Sequence, residues 1–316
     1  KEKGKKKKKK RRMDRTPTLS SIENYDYSGL DEVGVRGSIA PYFEDPVVDV
    51  LSILFPSLRT FRDGFENVDG WVNQSVKFFD DYYFPLLISV ALYCPIVFGI
   101  QAAMKDSKPF DLRRPLIAWN LFLAAFSIAG AINTLPLIPI SIVKGGWWGT
   151  ICTRWCFGSV NAQFYAFLFD LSKALEFVDT LFIVLRKKPL IFLHWYHHVV
   201  TMLFCWYCNQ TSQRYGCHGF YFAAVNLFVH AIMYSYYAVM AMRIKIPTAI
   251  AKSITIVQIA QMVFGIAIVL THGTCDNVDE TAFVLGCLLY LSFFALFAKF
   301  FLGRYITKKK PEEKKN

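Results

Sequence analysis

The chain has 316 residues, of which 54% are apolar and 16% aromatic, and its 36 Lys and Arg against 24 Asp and Glu leave a formal charge of +12. Much of that excess sits in the opening run KEKGKKKKKKRR, residues 1–12. Such a run is a solvated, disordered tail, so the net charge is no signature of nucleic-acid binding. The apolar residues gather in stretches near the ~20 residues that cross a bilayer as a helix, which excludes an ordinary water-soluble fold, and the short alternating segments of a membrane barrel are missing.

In chain order, residues 1–12 read as a disordered or non-native basic extension ahead of Met13. Residues 13–80 read as an N-terminal lumenal region without the apolar segment of a signal peptide. Residues 81–306 form the membrane domain and residues 307–316 a basic cytosolic tail. Within the domain the spans predicted are Tyr82–Met104, Pro115–Val143, Gln163–Leu185, Leu190–Cys208, Gly219–Met242, Ala249–Thr271 and Thr281–Tyr305. The expected fold is therefore all-α, a polytopic bundle of seven transmembrane helices.

Lys and Arg in the short loops set the expected orientation. Lys105, Lys108, Arg113 and Arg114 follow the first span, and Arg186, Lys187 and Lys188 the third. Arg243, Lys245 and Lys252 flank the fifth-to-sixth loop, and Arg304, Lys308, Lys309 and Lys310 close the last span. The opposite side carries only Lys144, Arg154 and Arg214 and an acidic loop at Asp276, Asp279 and Glu280. The N-terminus is expected in the lumen and the C-terminus in the cytosol. Sequons at Asn73 and Asn209 fall on the lumenal side, Asn73 being the glycosylation candidate. Cys152, Cys156, Cys217 and Cys275 lie in lumenal loops, where a bridge from Cys152 or Cys156 to Cys275 would tie two loops together.

The chemistry is concentrated in His194-Trp195-Tyr196-His197-His198, inside the fourth span. Positions i, i+3 and i+4 share one helix face, and three imidazoles in apolar surroundings carry a desolvation cost that packing alone does not explain. Other spans add polar residues: Lys173, Glu176 and Asp179 in the third, Asn226, His230, Tyr234, Tyr236 and Tyr237 in the fifth, and Thr255, Gln258 and Gln261 in the sixth. At ~1.5 Å per residue from the cytosolic ends, His197 and Asp179 lie about 10 Å deep, Gln258 about 13 Å and His230 about 18 Å. Four helices then line one polar chamber in the cytosolic half of the bundle.

Two chemistries suit such a chamber. A histidine-box di-iron site, as in membrane lipid oxidases and desaturases, would need more ligands than His194, His197, His198 and His230, because His218 and His272 are expected in or beside lumenal loops far from the cluster, whereas a single zinc would be satisfied by three or four ligands. Without metal, an imidazole serves as nucleophile or general base, and a carboxylate such as Asp179 would hold one ring in its useful tautomer. A seven-helix receptor or transporter is the alternative from outside enzymology.

The polar motifs resemble those of the ELO family of very-long-chain fatty acid elongases. Lys173-Ala-Leu-Glu176-Phe-Val-Asp179-Thr180 is similar to its KxxExxDT box and His194-Trp-Tyr-His197-His198 to its HxxHH box. The stretch Asn226 to Tyr237 is similar to its NxxxHxxMYxYY box, and Thr255-Ile-Val-Gln258-Ile-Ala-Gln261 to its TxxQxxQ box. The resemblance spans about Tyr82 to Tyr305, and the HWYHH form is closer to members acting on saturated and monounsaturated chains. It implies a 3-oxoacyl-CoA synthase of the endoplasmic reticulum membrane that condenses acyl-CoA with malonyl-CoA. It also implies that helices two to seven form a barrel around an acyl tunnel, with no metal or prosthetic group. The implied partners are a ketoacyl-CoA reductase, a dehydratase and an enoyl-CoA reductase, with self-association left open. On this reading His197, His230, His194, His198 and Asp179 carry catalysis. Lys173, Glu176, Asn226, Tyr234, Tyr237, Gln258 and Gln261 contact substrate, and Lys187, Lys188, Arg243 and Lys245 meet the CoA phosphates.

Overall fold

The computed structural model describes residues 68–152, 160–215, 217–276 and 278–307. The basic run 1–12, most of the region 13–80, Cys156 and the tail from 308 lie outside the described residues. All regular structure among the described residues is helical: α1 (Val68–Asp81), α2 (Tyr83–Ala103), α3 (Arg113–Thr134), α4 (Leu137–Cys152), α5 (Val160–Leu175), α6 (Phe177–Leu185), α7 (Phe192–Tyr215), α8 (His218–Ala241), α9 (Thr248–His272) and α10 (Glu280–Phe301), followed by a π-helical turn (Leu302–Ile306).

Five stretches are long and apolar enough to cross a membrane: α2, the α3–α4 unit Arg113–Cys152, α8, α9, and α10 with its π-turn. Seven uninterrupted apolar spans are thus not what the described residues display. The expected third span divides at Glu176 into the 16-residue α5 and the 9-residue α6. The expected fourth span is the 24-residue α7, but its three histidines and its polar end, Asn-Gln-Thr-Ser-Gln-Arg-Tyr, dilute its apolar character.

Local sequence explains most boundaries. Pro136 separates α3 from α4, since its ring and missing N–H oppose a continuous ladder, and Gly146 at φ 69° kinks α4. Asp279 caps α10 by accepting from the Ala282 amide at 3.0 Å. Lys187 and Arg243 adopt φ of 53° and 64° just past the ends of α6 and α8, where left-handed backbone stops a helix.

Packing follows the small residues. α3 lies along α8, α9 along α10, and α7 contacts α5 and α10. At the α9–α10 seam Gly265 faces Tyr290 and Gly286 faces Val269, with no space for a Cβ at either glycine. Close approach through small residues is how helices gain contact where lipid competes equally for apolar surface. α2 sits outside, burying only Leu86, Tyr93 and Val97, against α6 and α7.

The end of the region 13–80 is the helix α1, which docks on α5 and α7; Phe79 is fully buried, and its carbonyl accepts from Trp206 Nε1 at 2.8 Å. Asn73 lies on this helix, with its side chain outside the described residues. His218 and His272 lie beside loops, as expected. They are the first residue of α8 and the last of α9, both buried, with ring centroids 4.0 Å apart. Beside them Cys152 and Cys275 form a disulfide with a Cα–Cα distance of 5.4 Å. Asn209 is buried and its amide donates to Asp170 at 2.7 Å, so its sequon is not presented to solvent.

Candidate active site

One cavity of about 570 Å³ gathers the polar residues of five helices. Its walls include Asn120 from α3, Asp179 and the interrupting residue Glu176 around α6, and His194, His197 and His198 from α7. α8 adds Asn226, His230, Tyr234 and Tyr237, and α9 adds Thr255, Gln258 and Gln261. His197, Asn226, Gln261 and Met262 also line a second, narrower cavity that continues along α7 past Thr201, Phe204, Cys205 and Cys208. These α7 positions follow His197 by four, seven, eight and eleven residues, which is one helix face. His197 therefore stands where a polar chamber meets a narrow, mainly apolar channel.

Glu176 is the hub of the charged network. Its Oε1 accepts from Lys173 Nζ at 2.6 Å and lies 3.5 Å from His230 Nδ1, and its Oε2 lies 4.0 Å from His198 Nδ1. Lys173, 2% exposed, also donates to Asn226 Oδ1 at 3.0 Å and sits 4.2 Å over the Phe169 ring. A buried ion pair of this kind is retained for placement rather than stability, since desolvation offsets most of its attraction. With Nδ1 facing the carboxylate, His230 keeps Nε2 for other partners.

Asp179 has a different role from the one expected. Its Oδ1 accepts from Trp119 Nε1 at 2.6 Å and its Oδ2 from Tyr234 Oη at 2.8 Å, so it orients a phenol and an indole, while Glu176 faces the imidazoles. His194 turns Nε2 to Thr180 Oγ1 at 2.9 Å, and Thr180 meets Tyr93 Oη at 2.7 Å. The ring of His198 lies edge-on to those of His194 and His197, with centroids 4.5 and 5.4 Å apart. His197 packs on Phe293 at 5.0 Å. Gln258 Nε2 donates to Met233 Sδ at 3.4 Å.

The basic residues divide. Lys188 lines the cavity, joined by Arg186 and Arg304. Lys187 instead donates to the carbonyls of Lys105 and Ser107 at 2.8 and 3.0 Å. Arg243 and Lys245 are exposed and outside the cavity wall. The reason is local: Lys187 and Arg243 are helix-terminating residues in left-handed backbone, and their direction is set by the chain reversal. Trp119, Asn120, Thr180, Tyr93 and Arg304 were missed as site residues. Asn120 carried a usable signal as an amide within an apolar span, and Thr180 as the last residue of the KxxExxDT stretch.

Among the described residues no three His, Cys, Asp or Glu side chains converge as a metal-ligand set. The arrangement supplies imidazole nitrogens, hydrogen-bond donors and a paired carboxylate beside a mainly apolar channel. That is equipment for acyl chemistry on a substrate with a polar head and a long tail. The fold and site together define a multi-pass, all-helical membrane protein with its polar chamber inside the bundle.

The ELO family model, described as the GNS1/SUR4 family, matches residues 78–313. Long chain fatty acid elongase 1 of Caenorhabditis elegans is 39% identical over 239 residues, covering 73% of this chain and 82% of its own. Very long chain fatty acid elongase 6 of Gallus gallus is 36% identical, covering 75% and 90%, and that of Homo sapiens 35% identical, covering 77% and 92%. The chain belongs to the ELO family.

Proposed function

We propose that the chain is a fatty acid elongase that condenses a long-chain acyl-CoA with malonyl-CoA to give a 3-oxoacyl-CoA, CO2 and free CoA. The observation that carries this reading is the position of His197 at the junction of the polar chamber and the narrow channel. A thioester carbonyl at that junction would leave its CoA on the chamber side and its acyl tail in the channel along α7.

The reaction is proposed to run in two halves. An imidazole nitrogen of His197 or His230 attacks the acyl thioester carbon, the C–S bond breaks, and CoA leaves as the thiol with the imidazole proton. Malonyl-CoA then loses CO2, and its α-carbon attacks the acyl-imidazole carbon, forming the new C–C bond and releasing the imidazole, which regains a proton from solvent. Asn226 and Gln258 are the proposed donors to the oxygens that gain charge. Glu176 holds His230 through Nδ1, and Asp179 holds Tyr234. Lys188, Arg186 and Arg304 are the proposed contacts for the CoA phosphates. No resident metal or prosthetic group is invoked.

The same reading places the chain in the endoplasmic reticulum membrane with a lumenal N-terminus and a cytosolic C-terminus. It treats α5 with α6 as one interrupted crossing and α7 as another, giving seven crossings, with the last six arranged around the tunnel. A ketoacyl-CoA reductase, a dehydratase and an enoyl-CoA reductase would consume the product.

Membranes containing the chain, given labelled malonyl-CoA and acyl-CoAs of stepped length, are expected to yield label in a product two carbons longer. The His197→Ala protein should give none. Absence of label with every primer, despite folded protein, would overturn the proposal. Release of CoA from acyl-CoA without malonyl-CoA, in a single turnover, is expected of the covalent route and excludes direct condensation.

A further inference from the structure

Tyr93 is the one polar group that α2 buries, on a helix that otherwise faces lipid. Its hydroxyl reaches Thr180 Oγ1 at 2.7 Å, and Thr180, fully buried, reaches His194 Nε2 at 2.9 Å. Its ring stacks on Phe177 with centroids 4.3 Å apart, so the hydroxyl is held by packing on a rigid platform.

Donor bookkeeping gives this chain a direction. A Tyr or Thr hydroxyl has one proton to give, and a neutral imidazole has one N–H and one bare nitrogen. If His194 Nε2 donated to Thr180, either Thr180 would donate to Tyr93 and the Tyr93 proton would lack an acceptor, or Thr180 would accept from both and its own proton would lack one, each at a cost of an unmade buried hydrogen bond. The opposite direction satisfies every group: Tyr93 donates to Thr180, and Thr180 donates to His194 Nε2. Nε2 is then the bare nitrogen, and the ring proton resides on Nδ1, in a residue that lines the cavity.

We infer that Tyr93 is a positioning residue for the condensing reaction: through Thr180 it fixes the tautomer and orientation of His194, so that His194 presents an N–H donor to the substrate chamber. This inference rests on the proposed elongase activity. It assigns an active-site function to the helix outside the packed bundle, and to a residue that belongs to none of the polar sequence motifs. Beside a thioester, such a donor would act on the carbonyl oxygen as charge builds there, which affects the rate of the chemical step more than the binding of substrate.

The test is a set of full-length proteins: wild type, Tyr93→Phe, Thr180→Val, the double variant, and each of the first two in a His194→Ala background. Phe keeps the ring stack on Phe177 and removes only the hydroxyl. Tyr93→Phe is expected to lower kcat about fivefold, the rate equivalent of one neutral hydrogen bond, with KM for acyl-CoA unchanged. Thr180→Val should lose more, and the double variant should match Thr180→Val alone, because Tyr93 acts only through Thr180. In the His194→Ala background neither change should alter the residual rate. Thermal midpoints measured on the same samples report the structural contribution separately. A wild-type rate for Tyr93→Phe, additive losses in the double variant, or an undiminished Tyr93→Phe loss in the His194→Ala background would each overturn the inference. If the wild-type chain itself elongates no acyl-CoA, it is the proposed function that fails.

Discussion

Replacing Lys173 by Met removes what is, among the described residues, the only side-chain cation whose bond to Glu176 is shorter than 3 Å, in a site where both residues are about 2% exposed. The Met side chain fills similar volume, so the change is electrostatic rather than a cavity. Glu176 would keep only imidazoles at 3.5 and 4.0 Å, and Asn226 would lose the donor to its Oδ1. Breaking one side of a buried pair costs about 3–5 kcal/mol, most of it the penalty of the charge left behind. For a domain of this size that corresponds to a fall in thermal midpoint of roughly 6–20 °C. Neutralising the orphaned carboxylate should recover most of the loss, so Lys173→Met with Glu176→Gln is expected to be more stable than Lys173→Met alone. The assay is thermal unfolding of the detergent-purified proteins with substrate absent. If Lys173→Met melts within about 2 °C of wild type, or if the second substitution lowers the midpoint further, the network is not the strongly coupled unit that its distances imply.

Other outcomes follow from single contacts. Gly265→Ala would drive a methyl into the Tyr290 ring at the α9–α10 seam, with an expected loss of about 1–3 kcal/mol from overpacking, and Tyr290→Leu in the same chain should restore the midpoint if that ring is the obstacle. Arg304→Ala and Lys188→Ala should each raise KM for acyl-CoA about two- to fivefold, as expected of solvent-screened charges, with little change in kcat. Lys245→Ala, outside the cavity wall, should leave both constants unchanged in the same steady-state assay. Cys275→Ser opens a loop spanning 123 residues and should cost about 2–5 kcal/mol. Cys152→Ser should lower the midpoint by the same amount, and the double variant no further.

The chamber was legible before any coordinate because its members are costly. Histidines, carboxylates, amides and a lysine inside apolar helices need a reason to be there, and helix periodicity with a fixed rise puts them on shared faces at shared depths. That reasoning reaches His194, His197, His198, Glu176, Asn226, His230, Tyr234, Gln258 and Gln261, all of which line the one cavity. Apolar content and length likewise announce a multi-pass helical protein.

Tertiary structure decided what each polar group faces. Glu176 and Asp179 stand three residues apart in the same motif, and nothing in their spacing tells which one meets an imidazole. The interruption at Glu176 and the approach of α3 and α8 turn Asp179 to Trp119 and Tyr234 and leave Glu176 to the histidines. The basic loops show the same limit: Lys187 and Lys188 are adjacent, yet one terminates a helix and bonds backbone carbonyls while the other lines the cavity. The pairing of His218 with His272 and the reach of Tyr93 from the outer helix to His194 depend on contacts between residues far apart in the chain. Local sequence sets which residues are too polar for lipid and on which helix face they lie. Which partner satisfies each of them is fixed only when distant helices pack, because a hydrogen bond is settled over about 3 Å and no periodicity resolves that distance.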